Sequence, residues 1–182
     1  MKLLRAFVCG TILGIVAVSA ASAQSSSNSL SIEAMRHRQA LGLFEDACLS
    51  QAPDFGATRV VFETMGLRRP PEKATFRHPA LGIHGGVVPV QAGDSFGRQC
   101  SVLLENGKLP ILVLGLRTAL NRFSVPGSVT ESPPSRATDP VLWDFRMPVI
   151  GLVSVTAGMS STGIAVLGMQ VADRGVPTEV AN

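Results

Sequence analysis

Two stretches of this chain carry the residue types of a hydrolase: His84-Gly85-Gly86 and, after six intervening residues, Gly93-Asp94-Ser95-Phe96-Gly97. The second fits G-x-S-x-G, in which a serine nucleophile sits on a turn between a strand and a helix. The first has the composition of an oxyanion loop. Chain order argues against the pair. In the α/β-hydrolase arrangement the histidine follows the serine, whereas His37, His78 and His84 all precede Ser95. The order histidine, aspartate, serine is met by His84, Asp94 and Ser95. However, Asp94 and Ser95 are neighbours on one short turn and cannot act as separately supported groups of a triad. The residues after Gly97 read as a strand through Cys100. Ser95 is therefore read as part of a turn and no catalytic residue is assigned; a small serine hydrolase using Ser95 is the rival reading.

Metal chemistry has little to draw on. His78 and His84 lie six apart in a segment kept from helix by Pro79, Gly82 and Gly85, whereas zinc sites use three or four ligands at tight spacing. No metal or other cofactor is expected. The charge run is a better candidate: Arg68, Arg69, Lys73 and Arg77, stiffened by Pro70-Pro71 and relieved only by Glu72. Such a surface can meet an anionic lipid head group, an acidic envelope polymer or an acidic protein.

The amino terminus supplies an address. Lys2 and Arg5 precede the apolar run from Ala6 to Ala20, and Ala21-Ser22-Ala23 ends it with small residues. This is the pattern of a secretory signal cut between Ala23 and Gln24; the run is short of the roughly 20 residues a spanning helix needs. Cys9 leaves with it. Of 16 basic residues two go too, so fourteen face the 13 acidic ones, a mature charge of +1. With that balance, no Tyr and one Trp, nucleic acid is not an expected partner. No later apolar run is long enough to span a membrane. Cys48 and Cys100 remain, and in an oxidising compartment an even pair is expected to join. The spacing is far from the C-x-x-C of redox catalysts.

The elements that must position these residues read as follows. Residues 24–30 form a polar leader. Ser31 can cap a first helix, on which Leu41, Phe44 and Cys48 fall at i, i+3 and i+7 on one stripe. Asp54 can cap a second helix that runs to about Met65 and stops at Gly66. Short strands are expected at Thr75–Arg77, Gly86–Val90 and Gln99–Glu105. Asn106-Gly107 could turn a hairpin into a strand over Leu109–Leu114, but the spacing of Leu112, Leu116, Ala119, Leu120 and Phe123, with Pro110 suited to a first turn, favours a helix from Pro110 to Arg122. Ser124–Pro140 reads as a long surface loop. Trp143–Val155 and Gly163–Val171 read as a terminal hairpin, and 173–182 as a tail. This is one α+β domain over 31–172: two amino-terminal helices packed on a small, mostly antiparallel sheet, a further helix, and a carboxy-terminal β-hairpin.

Phe44-Glu45-Asp46-Ala47-Cys48 and Gln99-Cys100-Ser101-Val102 resemble segments of uncharacterised exported two-cysteine domains of proteobacteria, over Leu41 to Leu120. The resemblance implies an α+β domain with a helix-to-strand disulfide, and it brings no activity. The expected protein is periplasmic or extracellular: a non-catalytic binding or accessory protein of the cell envelope, with an anionic envelope component or protein as partner. A purely structural envelope protein is a further alternative.

Overall fold

The computed structural model describes residues 31–92, 95–136 and 138–172. The signal with its Ala23–Gln24 junction, the 24–30 leader, Gly93, Asp94 and the 173–182 tail lie outside the described residues. The chain divides into two compact units, Met1–Met35 and Arg36–Asn182. In the first, residues 31–35 are helical; Ser31, expected as a cap, is itself helical.

The second unit opens with helical residues 36–44 (α1), which widen into a π turn, Glu45–Leu49, closed by the Ser50 amide on the Glu45 carbonyl at 2.9 Å. Phe44 and Cys48 are fully buried, and Leu41 packs at the margin of the core. The π turn delivers Cys48 to Cys100, and the two are disulfide-bonded with an S–S distance of 2.03 Å. A buried cystine fits an oxidising compartment. Among the described residues no helix is long and apolar enough to cross a membrane.

The second helix is shorter than its sequence suggests. It spans Thr58–Thr64 (α2), because Asp54 does not cap it: the Asp54 carboxylate accepts the Gly56 amide at 3.1 Å in a local turn, and Phe55 turns the chain with φ 53°. Thr58 instead ties the helix start to the π turn, its hydroxyl donating to the Ala47 carbonyl at 2.7 Å. Gly66 ends the helix as expected. With φ 82° it lets its own amide reach the Glu63 carbonyl and the Leu67 amide reach that of Phe62, a Schellman closure.

Seven strands follow: β1 (Phe76–Arg77), β2 (Ile83–Ala92), β3 (Ser95–Glu105), β4 (Thr130–Ser132), β5 (Val141–Met147), β6 (Gly151–Met159) and β7 (Ile164–Ala172). They form one sheet in the order β1-β2-β3-β7-β6-β5-β4, with every pairing antiparallel. The helix alternative holds for the segment after Asn106-Gly107: α3 spans Leu109–Phe123, with Pro110 in its first turn and Leu112, Leu116, Ala119 and Leu120 buried. The sheet is larger than the sequence suggests. The 124–140 loop contains edge strand β4, and Trp143–Val155 is two strands, turned at Pro148-Val149-Ile150, where Val149 has φ 69°.

Alternation sorts the two faces. Cys100, Val102 and Leu104 of β3, Ala165, Leu167 and Met169 of β7, Val153, Val155 and Ala157 of β6, and Trp143 and Phe145 of β5 join the buried helix residues in one core. Their neighbours Ser101, Gln99, Thr156, Ser154 and Asp144 point to the other face and stay partly exposed. Beyond Gly85, β2 has no strand on its outer side among the described residues. The Glu105 amide bonds the Gly82 carbonyl, so even-numbered residues of β2 bond β3 and odd-numbered ones face outward. Pro89, lacking an N–H, falls on an outward position and blunts this edge against pairing with another chain.

Gly85, the middle of the His-Gly-Gly run, is required by packing. A Cβ there would stand 2.6 Å from Cε1 of Phe62, a buried ring whose centroid lies 5.2 Å from that of Phe76 at a tilt of 43°. Gly85→Ala is expected to lower stability by about 1–3 kcal/mol through overpacking. An unchanged midpoint in urea unfolding would show that α2 yields freely.

Candidate functional site

The basic run lies where the chain leaves α2. Leu67, drawn into the core by the Schellman closure, is 3% exposed. Arg68 pairs with Arg77 through two backbone bonds of 2.9 Å, adding one residue to the sheet edge beyond β1. Pro70-Pro71 then turns the chain, and the Lys73 amide donates to the Pro70 carbonyl at 3.1 Å. Between this turn and α2 lies an open cleft of about 640 Å³ lined by Arg59, Glu63, Leu67, Arg68, Arg69, Pro70 and Pro71.

Three guanidinium groups thus face one cleft, and two of them are each bonded through their own Nε. Arg59 Nε donates to Glu63 Oε1 at 2.8 Å, and Arg69 Nε donates to the Lys73 carbonyl at 2.9 Å. Arg68 has no carboxylate partner among the described residues. The cleft carries three positive charges against one negative, so an anion is the ligand it attracts. The sequence run named Arg68 and Arg69 but not Arg59, which reaches the cleft from a helix; its only sequence signal is the i,i+4 spacing to Glu63.

Arg77 belongs elsewhere. Its Nη2 lies 3.6 Å from Glu105 Oε1, which also takes the Nε2–H of His84 at 2.7 Å; an ionised carboxylate only accepts, so the ring donates. The His84 hydrogen bond holds the Glu105 carboxyl below the ordinary carboxylate range; burial opposes this, and the charges of His84, Arg77 and Arg36 add to it. Arg36 braces the same corner, donating to the Leu81 carbonyl at 2.8 Å and the Glu105 carbonyl at 2.6 Å. Of the four cations proposed as one surface, Arg68 and Arg69 share the cleft, Lys73 contributes only the backbone carbonyl that accepts from Arg69, and Arg77 is paired with an acid.

The histidines and Ser95 are not brought together. His84 stands opposite Leu103, eight residues from Ser95 along β3, or about 27 Å of extended strand. The His78 amide bonds Ile83, opposite Leu104, and buried His37 accepts the Lys108 amide at 2.8 Å on Nε2. All three thus lie toward the Glu105 end. Ser95 opens an eleven-residue strand, with no helix directly after it. Among the described residues no group of three His, Cys, Asp or Glu side chains stands together as a metal site.

No protein family, curated protein or solved structure matches the chain.

Proposed function

We propose that this is an exported, non-catalytic binding protein of the cell envelope, working in the periplasm or outside the cell, that holds an anionic partner in the cleft between α2 and Pro70-Pro71. The observation that carries the reading is the convergence of Arg59, Arg68 and Arg69 on one cleft. The buried cystine and the secretory pattern at residues 2–23 support export. The distance from Ser95 to every histidine weighs against the serine-hydrolase alternative.

The test is capture of anionic envelope material by the immobilised protein. Arg59→Ala, Arg68→Ala and Arg69→Ala combined should weaken capture by about tenfold or more, since charge-assisted bonds to arginine are among the stronger polar contacts, and raised salt should weaken it too. Ser95→Ala should leave capture unchanged. Full capture by the triple variant would remove the cleft from the account, and no capture by the wild type would favour a structural role.

A further inference from the structure

The arginine cleft has more donors than one carboxylate can use. A guanidinium offers two edges for paired hydrogen bonds, Nε with one Nη and the two Nη groups together. In Arg59 and Arg69 the Nε group is committed to Glu63 and to the Lys73 carbonyl. Each is therefore anchored with its Nη groups left for a ligand, and Arg68 adds a third guanidinium. Both Nε bonds are exposed, so they bias the Arg59 and Arg69 guanidinium groups toward the cleft and reduce only part of the side-chain entropy lost on binding. Net of Glu63, the cleft has two positive charges. The complementary group carries close to two negative charges and three acceptor oxygens around one centre. A carboxylate, planar with one charge and two oxygens, satisfies one guanidinium edge and leaves the others unmet. A phosphomonoester carries about −1.5 to −2 at neutral pH on three oxygens.

We infer that the group held by Arg59, Arg68 and Arg69 is a terminal phosphoryl group, a phosphomonoester rather than a carboxylate. This rests on the cleft being the binding site. Leu67, Pro70 and Pro71 give the same cleft an apolar side, on which the group esterified to the phosphate would lie. That group can belong to a soluble phosphomonoester or to a lipid head group.

The experiment uses the whole purified chain and two probes that share a phenyl ring and differ in the acidic group, with the ester oxygen that joins phosphate to the ring. Phenyl phosphate and benzoate share an aromatic body, and phenyl phosphate should bind at least about tenfold more tightly, as expected for additional charge-assisted bonds. Arg68→Ala with Arg69→Ala should abolish that preference while leaving the unfolding midpoint near wild type. Vesicles containing phosphatidic acid, compared with neutral vesicles, assign the source: co-sedimentation that phenyl phosphate displaces supports a lipid phosphate, and its absence alongside phenyl phosphate binding supports a soluble one. Equal binding of the two probes, both lost in the variant, would overturn the phosphoryl assignment and leave an anion cleft standing. Binding of neither probe by a protein that still captures envelope anions through the same arginines would also overturn it. Binding of phenyl phosphate unaffected by the double variant would overturn both it and the cleft.

Discussion

Replacing both cysteines, Cys48→Ala with Cys100→Ala, should lower unfolding stability by about 4 kcal/mol. Cys48 and Cys100 are 52 residues apart, and in the chain-entropy account closing a loop of that length removes about this much freedom from the unfolded chain. Both cysteines are fully buried, but each substitution removes a single sulfur atom, so the void left is small and the lost crosslink dominates. For a domain of this size the melting temperature should fall by about 8–16 °C. The buried position has a kinetic counterpart. A reductant meets the bond only when the π turn and β3 separate, so reduction of the wild type should track unfolding and speed up in urea. A double variant within about 1 kcal/mol of wild type, or fast reduction of the native protein, would refute the clamp as a main source of stability.

The disulfide was legible from the expected export and the parity of the remaining cysteines, and its partners' elements from local pattern. α3 was legible for the same reason: its buried residues recur at helical spacing and Pro110 suits the first turn. What local pattern misses is settled by distant contacts. Asp54 looks like a cap and closes a turn on Gly56 instead. Thr130-Glu131-Ser132 has neither alternation nor apolar residues, and all three are exposed; it is a strand because β5 offers it an edge. The hairpin turn within Trp143–Val155 is hidden because Val149 and Ile150 read as strand formers, although Val149 is 97% exposed with φ 69°. The candidate site follows the same division. Arg68 and Arg69 stand out as a charge run, whereas the diversion of Arg77 to Glu105 depends on strand register, and the arrival of Arg59 depends on how α2 lies against the Pro70-Pro71 turn.

Trp143→Ala should cost about 3–5 kcal/mol, the range for deleting a large buried aromatic. Trp143 is the largest fully buried side chain among the described residues, and it also carries a polar bond. Its indole N–H donates to Glu131 Oε2 at 2.9 Å, while Arg117 of α3 grips the same carboxylate with Nε at 2.8 Å and Nη2 at 2.5 Å. Glu131 on edge strand β4 thus joins α3 to β5. Hydrogen bonding from Arg117 is the largest influence holding the Glu131 carboxyl below the ordinary range; burial opposes it, and the Trp143 N–H and the Arg117 charge add to it. A depressed folded value stabilises the protein above the unfolded carboxylate value, near 4.3 for glutamate, and that stabilisation is lost as pH falls through the folded value. The ion pair is partly exposed, 51% for Arg117 and 31% for Glu131, so solvent screening keeps its share well below that of the ring. The two contributions separate in a double-mutant cycle of Trp143→Phe and Glu131→Gln, measured by urea unfolding across pH. The stability gap between wild type and Glu131→Gln should be full at neutral pH and narrow below about pH 4, as the wild-type carboxyl takes up its proton. A gap that stays constant to the acid limit, or a Trp143→Ala variant that loses less than about 1 kcal/mol, would show that α3 is held to the sheet by other contacts.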